Sequence, residues 1–169
     1  TAGSPFHVNL DNSSSPVFSD QQIGATPTTA SIADWSHYAL SFKSASAGVE
    51  TRFYVNGRLD SSNTLGSAGV DLLTQKGTIA YIASGSVGFL SASIDEFRFW
   101  KTERDAFQIG SKYFTQVRGG SNSDVSNATL GVYYKFNEGL TLTSSIDEVV
   151  LDYSGRISNG LYVGYDSTY

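Results

Sequence analysis

Two adjacent carboxylates, Asp95 and Glu96, are the residues whose types first suggest chemistry in this chain. Hydrolysis of a glycosidic bond needs two carboxyl groups that face one substrate, about 5–9.5 Å apart. The stretch Phe89–Trp100 alternates apolar and polar residues, which predicts a strand. Because neighbouring side chains on a strand point to opposite faces, this pair cannot act as acid and base on one substrate.

Other catalytic patterns are weak. His7 and His37 are the only histidines, and they do not have the spacing of a metal-binding pair. Serine is abundant, so a Ser-His-Asp triad stays open, but no G-x-S-x-G motif supports it. The segment Gly85-Ser-Val-Gly88 is too short for a phosphate-binding loop. The absence of cysteine excludes disulfides, thiolate metal sites and cysteine nucleophiles.

Composition narrows the possible partners. The net charge is −5, and no cluster of Lys and Arg is present, which argues against a nucleic-acid partner. No apolar run approaches the length of a membrane span, so we expect no membrane insertion. The 169 residues, 40% of them apolar, suffice for one domain with its own core. With Thr1 at the start and no methionine, we interpret the chain as a fragment or a processed product.

Short strand patterns separated by turn signals run through the chain. The strongest hairpin signal is Asn56-Gly57 within Thr51–Leu59, because Asn-Gly favours the positive φ angles of a type I′ turn. The other predicted strands are Phe6–Leu10, Trp35–Lys43, Thr78–Ala83, Phe89–Trp100, Leu130–Phe136, Glu148–Leu151 and Leu161–Tyr165. Turns or loops are predicted at residues 13–16, 24–31, 61–76 and 118–126.

One segment has a helical pattern. Thr102 and Asp105 form a T-x-x-D pattern that predicts the start of a short helix, with Phe107 and Ile109 on its apolar face. Many short strands and one short helix predict an all-β fold, a two-sheet antiparallel jelly-roll sandwich. Since no repeat or linker is visible, we predict a single domain over residues 1–169.

Four segments carry the most specific sequence pattern. They are W-x-H-Y-A-L at Trp35–Leu40, F-Y-V-N-G at Phe53–Gly57, I-D-E-F-R-F-W at Ile94–Trp100 followed by E-R-D-A-F-Q-I, and L-G-V-Y-Y-K-F-N-E-G from Leu130 with D-Y-S-G-R-x-S-N-G from Asp152. In this order they resemble the laminin-G-like, concanavalin-A-like jelly-roll family. The resemblance covers residues 35–164 and implies two curved sheets that recognise carbohydrate or protein. Little before Trp35 resembles the family, so we expect some N-terminal strands to be missing.

The closing segment from Asp152 also resembles copies found in large structural proteins of tailed phages. Together the two resemblances imply a recognition module of an extracellular or virion surface protein. Our first hypothesis is a non-catalytic lectin that binds carbohydrate. The alternative is a structural module of a phage virion or adhesin, which contacts neighbouring protein subunits, or copies of itself, without a glycan ligand.

The resemblance also bears on the carboxylates. Glycosidases with this fold usually carry E-x-D-x-E on one strand, and no such motif occurs here, which implies that the chain is not an enzyme. Several relatives bind Ca²⁺ through a carboxylate near this strand, which implies Asp95 as a metal ligand and Ca²⁺ as a cofactor. The alternative is that Asp95 or Glu96 pairs with Arg52, Arg98 or Arg104, because buried carboxylates usually have such partners.

Aromatic side chains are the remaining candidates for a binding surface. Trp35, Tyr54 and Tyr134 are predicted to bind the ligand, because aromatic faces stack on sugar rings and anchor protein contacts. The alternative is that these rings complete the core. Under the lectin hypothesis, Tyr134→Ala abolishes glycan binding with little change in melting temperature, whereas a large loss of stability assigns Tyr134 to the core.

Overall fold

The chain forms short antiparallel strands and two short helices over the residues that the computed structural model describes. These residues are 6–12, 15–28, 30–31, 33–70, 72, 93–117, 129–139, 141 and 143–162. The strands are β1 (Phe6–Asn12), β2 (Ser15–Ile23), β3 (Tyr38–Ala45), β4 (Gly48–Val55), β5 (Arg58–Leu65), β6 (Phe97–Trp100), β7 (Leu130–Tyr134), β8 (Val149–Val150) and β9 (Gly160–Leu161). The helices are α1 (Ala106–Lys112) and α2 (Ser144–Asp147). The antiparallel pairing of the strands confirms the predicted all-β class.

The strands and helices divide into two compact units. The first contains residues 1–79 and 103–115, with β1 to β5 and α1; the second contains residues 80–102 and 116–169, with β6 to β9 and α2. Each unit has its own buried apolar residues. In the first unit these are Phe18, Ile23, Val49, Phe53, Tyr54 and Ile109, and in the second Leu130, Val132, Tyr133 and Val150. The single domain over residues 1–169 stays a prediction.

The core of the first unit lies between a hairpin and a three-stranded sheet. The sheet has the order β3-β4-β5, and its β3–β4 register places Tyr38, Phe42 and Phe53 on one face. From the β1–β2 hairpin, the ring of Phe6 lies 4.9 Å from Tyr38 and 5.4 Å from Phe53, and Phe18 lies 6.4 Å from Phe42, between ring centroids. The alternating aromatic residues of β3 and β4 therefore have a packing partner on this face.

The N-terminal hairpin differs from the sequence prediction. β1 confirms the predicted strand at Phe6–Leu10, but β2 was not predicted, and Pro16 lies in a strand rather than a turn. The sequence of β2 is largely polar, so it lacks the alternation of apolar and polar residues that predicts a strand. Its buried residues are Phe18 and Ile23, and pairing with β1 places Ile23 opposite Phe6. Cross-strand pairing, rather than local alternation, makes this segment a strand.

Other strand boundaries also differ from those predicted from the sequence. β3 begins at Tyr38, so Trp35 precedes the strand, and β5 continues to Leu65 into a region predicted as loop. β5 is mostly exposed and polar, and its pairing with β4 supplies the hydrogen bonds that a local pattern does not reveal. Residues 93–96, predicted as part of a strand, precede β6. The predicted strand Thr78–Ala83 and the predicted loop 118–126 lie outside the described residues.

Helix α1 begins later than the T-x-x-D pattern predicted. Its N-cap is Asp105 rather than Thr102: Gln108 N donates to Asp105 Oδ1 at 2.7 Å, and Asp105 N donates to Gln108 Oε1 at 3.1 Å. This reciprocal pair is a capping box of the D-x-x-Q form. Ile109 is buried as predicted, but Phe107 is 80% exposed, since a helix of two turns buries only one stripe. No helix in the described part of the chain is long and apolar enough to cross a membrane.

Candidate functional site

Two of the conspicuous sequence segments meet through a pair of hydrogen bonds in the first unit. His37 N donates to Asn56 Oδ1, and Asn56 N donates to His37 O, both at 2.8 Å. Asn56 and Gly57 have φ angles of 49° and 76°, which confirms the predicted Asn-Gly turn between β4 and β5. The turn therefore holds the backbone that precedes β3.

The residues that follow α1 pack against the same turn. A Cβ atom on Gly57 would lie 2.5 Å from Tyr113 Cδ1, so only glycine allows this close approach. The ring of Tyr113 also lies 5.6 Å from the imidazole of His37. Phe114 meets Tyr113 edge to face, with 5.2 Å between the ring centroids. Three separate parts of the chain thus form one supported surface.

We call this surface the hairpin corner; it consists of residues 35–37, 56–57 and 113–114. Two large rings at the corner are open to solvent: Trp35 is 71% exposed and Phe114 is 72% exposed. Trp35 lies two residues before the backbone that Asn56 holds. Of the three predicted ligand-binding residues, Trp35 is the one whose ring is presented at the surface.

Tyr54, predicted to bind the ligand, is buried. It lies in β4 with 1% of its surface exposed, buried on the face of the sheet opposite Phe53. A ring buried to this degree has no free face for stacking on a sugar. The core alternative therefore fits Tyr54, and its predicted ligand-binding role does not enter our proposal.

Tyr134 anchors the closing segment of the second unit. Its hydroxyl donates to Ser158 O at 2.7 Å, and its ring stacks on Phe97 with 5.8 Å between centroids. A Cβ atom on Gly160 would lie 3.0 Å from the Tyr134 ring, so the chain passes directly over this side chain. Burial raises the pKa of Tyr134, and the charge of Asp152 adds to the effect. These contacts support a structural role for Tyr134.

Asp152 organises the D-Y-S-G-R-x-S-N-G segment. Its Oδ1 accepts from Tyr133 N and Ser154 N, both at 2.9 Å, and its Oδ2 accepts from Ser154 Oγ at 2.7 Å and Ser158 N at 3.0 Å. Burial by itself would raise the pKa of Asp152, but these hydrogen bonds outweigh it and leave the pKa lowered. The sequence prediction missed this role, although Asp-x-Ser is a common turn pattern that could have indicated it.

Glu96 forms an ion pair and a hydrogen bond within the second unit. Its Oε2 accepts from Arg98 Nη2 at 2.7 Å and from the Tyr133 hydroxyl at 2.5 Å. The ion pair confirms the alternative in which Glu96 pairs with Arg98. Burial raises the pKa of Tyr133 to about 12, and the hydrogen bond to Glu96 contributes in the same direction. Glu96 has a φ of 56°, so this network holds a strained backbone position.

Arg52, another predicted partner of these carboxylates, is engaged in the first unit. Its guanidinium lies 2.6 Å from Glu50 Oε1 and 3.1 Å from Glu103 Oε1. Lys43 Nζ adds a contact of 3.5 Å to Glu103 Oε2. These ion pairs join β3 and β4 to the residues that precede α1. The charged side chains on this face of the sheet therefore hold parts of the first unit together.

Asp95, the predicted calcium ligand, is exposed just before β6. Ca²⁺ takes six to eight oxygen ligands. Asp95 Oδ1 accepts from Glu96 N at 2.9 Å, and Glu96 itself is balanced by Arg98. Within the described residues, no group of three or more His, Cys, Asp or Glu side chains could hold a metal ion. The role of Asp95 as a calcium ligand therefore stays a prediction from the sequence resemblance.

Comparison with family models identifies the family of the chain. A laminin-G family model, described as the concanavalin A-like lectin/glucanases superfamily, matches residues 2–110. The match includes the N-terminal hairpin, where the sequence pattern showed little similarity, and it ends before the segment from Leu130. Searches of curated proteins and of solved structures returned no match.

Proposed function

We propose that this chain, which belongs to the concanavalin A-like lectin/glucanases superfamily, is a non-catalytic module that binds carbohydrate. We place it in an extracellular or virion surface protein. The observation that carries the proposal is the Trp35 ring, 71% exposed on a backbone that Asn56 supports through His37. The sequence resemblance implied the same class of ligand.

The exposed face of Trp35 and the supported backbone beside it both favour binding of a sugar. An exposed tryptophan offers a large apolar face, and burying it against the C–H face of a sugar releases water from both surfaces. The hydrogen bonds between His37 and Asn56 hold the adjacent backbone before a ligand arrives, so less ordering is needed on binding. Exposed polar residues, Asp34 before Trp35 and Arg58 after the turn, are available for sugar hydroxyls.

The non-catalytic part of the proposal rests on the carboxylates. The sequence contains no E-x-D-x-E motif, which supplies the acid and base of glycosidases with this fold. Glu96 pairs with Arg98 and accepts a hydrogen bond from the Tyr133 hydroxyl, so its Oε2 is engaged by groups of the chain itself.

A glycan array, followed by titration of the best neutral glycan, tests the proposal. Trp35→Ala is compared with Phe107→Ala, a matched control that removes another largely exposed ring from the same unit. We expect Trp35→Ala to weaken binding about tenfold or more at an unchanged melting temperature, and Phe107→Ala to have no effect. Silence on every glycan with folded protein, or binding that survives Trp35→Ala, rejects the proposal. Repeating the array with a chelator tests the predicted use of Ca²⁺.

A second candidate function, assembly with neighbouring subunits or with copies of this chain, has its own observation. Phe107 on α1 and Phe114 just after it are 80% and 72% exposed. Contiguous exposed apolar surface often marks a protein contact. Sedimentation velocity at increasing concentration tests this candidate: an oligomer that Phe107→Ala dissociates supports it, and a monomer at all concentrations argues against self-association.

A further inference from the structure

Two cations lie near one buried tyrosine ring in the second unit. Lys135 Nζ and Arg98 Cζ are each 5.3 Å from the ring centroid of Tyr133. Lys135 Nζ is also 4.9 Å from the ring centroid of Tyr153. Cation–π attraction to two rings restrains the ammonium group, which on a free lysine would move with the flexible side chain.

Only one of these two cations has a carboxylate partner in the described part of the chain. Glu96 pairs with Arg98 at 2.7 Å, while no described carboxylate forms an ion pair with Lys135. The nearby Asp152 directs its oxygens to Tyr133 N, Ser154 and Ser158. The ammonium of Lys135 therefore keeps its charge available in a protein whose net charge is −5.

The groups beside this ammonium can recognise a sugar. Tyr153 is 36% exposed, and its hydroxyl donates to Asn137 Oδ1 at 3.4 Å. Because that bond uses the amide oxygen, the amide nitrogen of Asn137 has donors to offer a ligand. An exposed ring, an amide donor and a restrained cation thus occur together on one short stretch of surface.

We infer that Lys135, Asn137 and Tyr153 form a subsite for an acidic saccharide. The carboxylate or sulfate of the sugar accepts hydrogen bonds from the Lys135 ammonium, and the sugar ring stacks on Tyr153. The inference rests on the proposed function for the class of ligand, since it assumes that the chain binds carbohydrate. It does not depend on Trp35, which belongs to the first unit.

Titration with matched probes tests the inference. Hexagalacturonic acid is compared with its fully methyl-esterified form, which is neutral, and sulfated lactose is compared with lactose to separate carboxylate from sulfate. The variants are Lys135→Gln, Lys135→Arg, Trp35→Ala and, as a matched control, Lys112→Gln, which removes a lysine from the first unit.

We expect at least one acidic probe to bind about tenfold more tightly than its neutral partner at low salt. Lys135→Gln removes this preference, whereas Lys135→Arg, which keeps the charge, and Lys112→Gln retain it. Added salt weakens the binding of the acidic probe to the wild-type protein more than to Lys135→Gln. Melting temperatures confirm that each variant is folded.

Failure of the acidic subsite can be distinguished from failure of the proposed function. If the neutral glycans bind through Trp35 and the acidic probes bind no better, the acidic subsite is wrong and the proposed function stands. If Lys135→Gln and Lys112→Gln lower the affinity equally, the effect is general charge and the subsite is rejected. If no probe and no arrayed glycan binds to folded protein, both the subsite and the proposed function are wrong.

Discussion

His37 and Asn56 exchange two hydrogen bonds of 2.8 Å, one from His37 N to the Asn56 side chain and one from Asn56 N to His37 O. Nineteen positions separate the two residues along the chain. The pair joins the segment before β3 to the turn between β4 and β5, and so it holds the backbone next to Trp35. The exposed ring at the hairpin corner depends on this contact for its support.

Asn56→Ala tests that support. The change removes the acceptor of His37 N and places alanine at a φ of 49°, where glycine and asparagine are favoured. We expect unfolding by urea to show a loss of about 1–2 kcal/mol. Asn56→Gly, which tolerates this φ, serves as the control for the lost hydrogen bond. Wild-type stability of Asn56→Ala would show that the pair contributes nothing in solution.

Gly57→Ala tests the contact with Tyr113. The new Cβ would lie 2.5 Å from Tyr113 Cδ1, on a backbone with a φ of 76°. Gly69→Ala is the matched control, because Gly69 has a φ of 78° and a Cβ added there would have no described atom within 4 Å. We expect both variants to lose about 1 kcal/mol through backbone strain, and Gly57→Ala to lose about 1–3 kcal/mol more. Equal losses in urea unfolding would mean that the contact with Tyr113 yields easily.

The pH dependence of stability tests Asp152. Its folded pKa is lowered, so the carboxylate stabilises the fold above its unfolded pKa of about 4, and this contribution is lost as the pH falls through the lower folded value. We therefore expect wild-type protein to exceed Asp152→Asn in unfolding free energy at pH 7. The difference should shrink at pH values below about 4. A difference that stays constant down to a pH of about 2.5 would contradict the assignment.

Tyr133→Phe tests the buried hydroxyl that donates to Glu96. The folded pKa of Tyr133 is raised to about 12, above an unfolded value of about 10. The contribution of the neutral phenol is therefore complete below pH 10 and lost as the pH rises towards 12. We expect wild-type protein to lose stability relative to Tyr133→Phe across that window, measured as urea midpoints. Parallel curves for the two proteins would exclude a raised pKa.

Tyr134 allows the sequence prediction and the structural role to be compared directly. Tyr134→Phe removes only the hydrogen bond to Ser158 O, and we expect a loss of about 1 kcal/mol. Tyr134→Ala also removes the ring that stacks on Phe97 and supports Gly160, and we expect about 2–4 kcal/mol. Thermal melts and glycan titration measure both effects. A stable Tyr134→Ala that no longer binds glycan would restore its predicted ligand role.

Local sequence predicted the features that depend on neighbouring residues. Asn56-Gly57 predicted its turn because the positive φ angles that the turn needs are properties of those two residue types. The start of α1 was predicted to within one turn, and the displacement from Thr102 to Asp105 arose because both residues are good caps. β2 was missed, since its strand structure depends on pairing with β1.

The candidate site was predicted only in part. The alternation of apolar and polar residues singled out Trp35, Tyr54 and Tyr134 as candidates, but it could not predict which of these rings are buried. The same type of residue serves as a buried core residue at Tyr54 and as an anchor under the closing segment at Tyr134. The cation–π contact between Lys135 and Tyr153 was not predicted, because no sequence motif indicates that a cation lies over a ring.

The sequence by itself determined the all-β class, the Asn-Gly turn and the family resemblance, because these follow from residue type and from order along the chain. The tertiary structure alone decided that Trp35 is exposed, that Tyr54 is buried and that Glu96 is balanced by Arg98. Burial and charge balance depend on which distant segments come together. A local pattern describes the faces of a strand, whereas only packing determines which of those faces meets water.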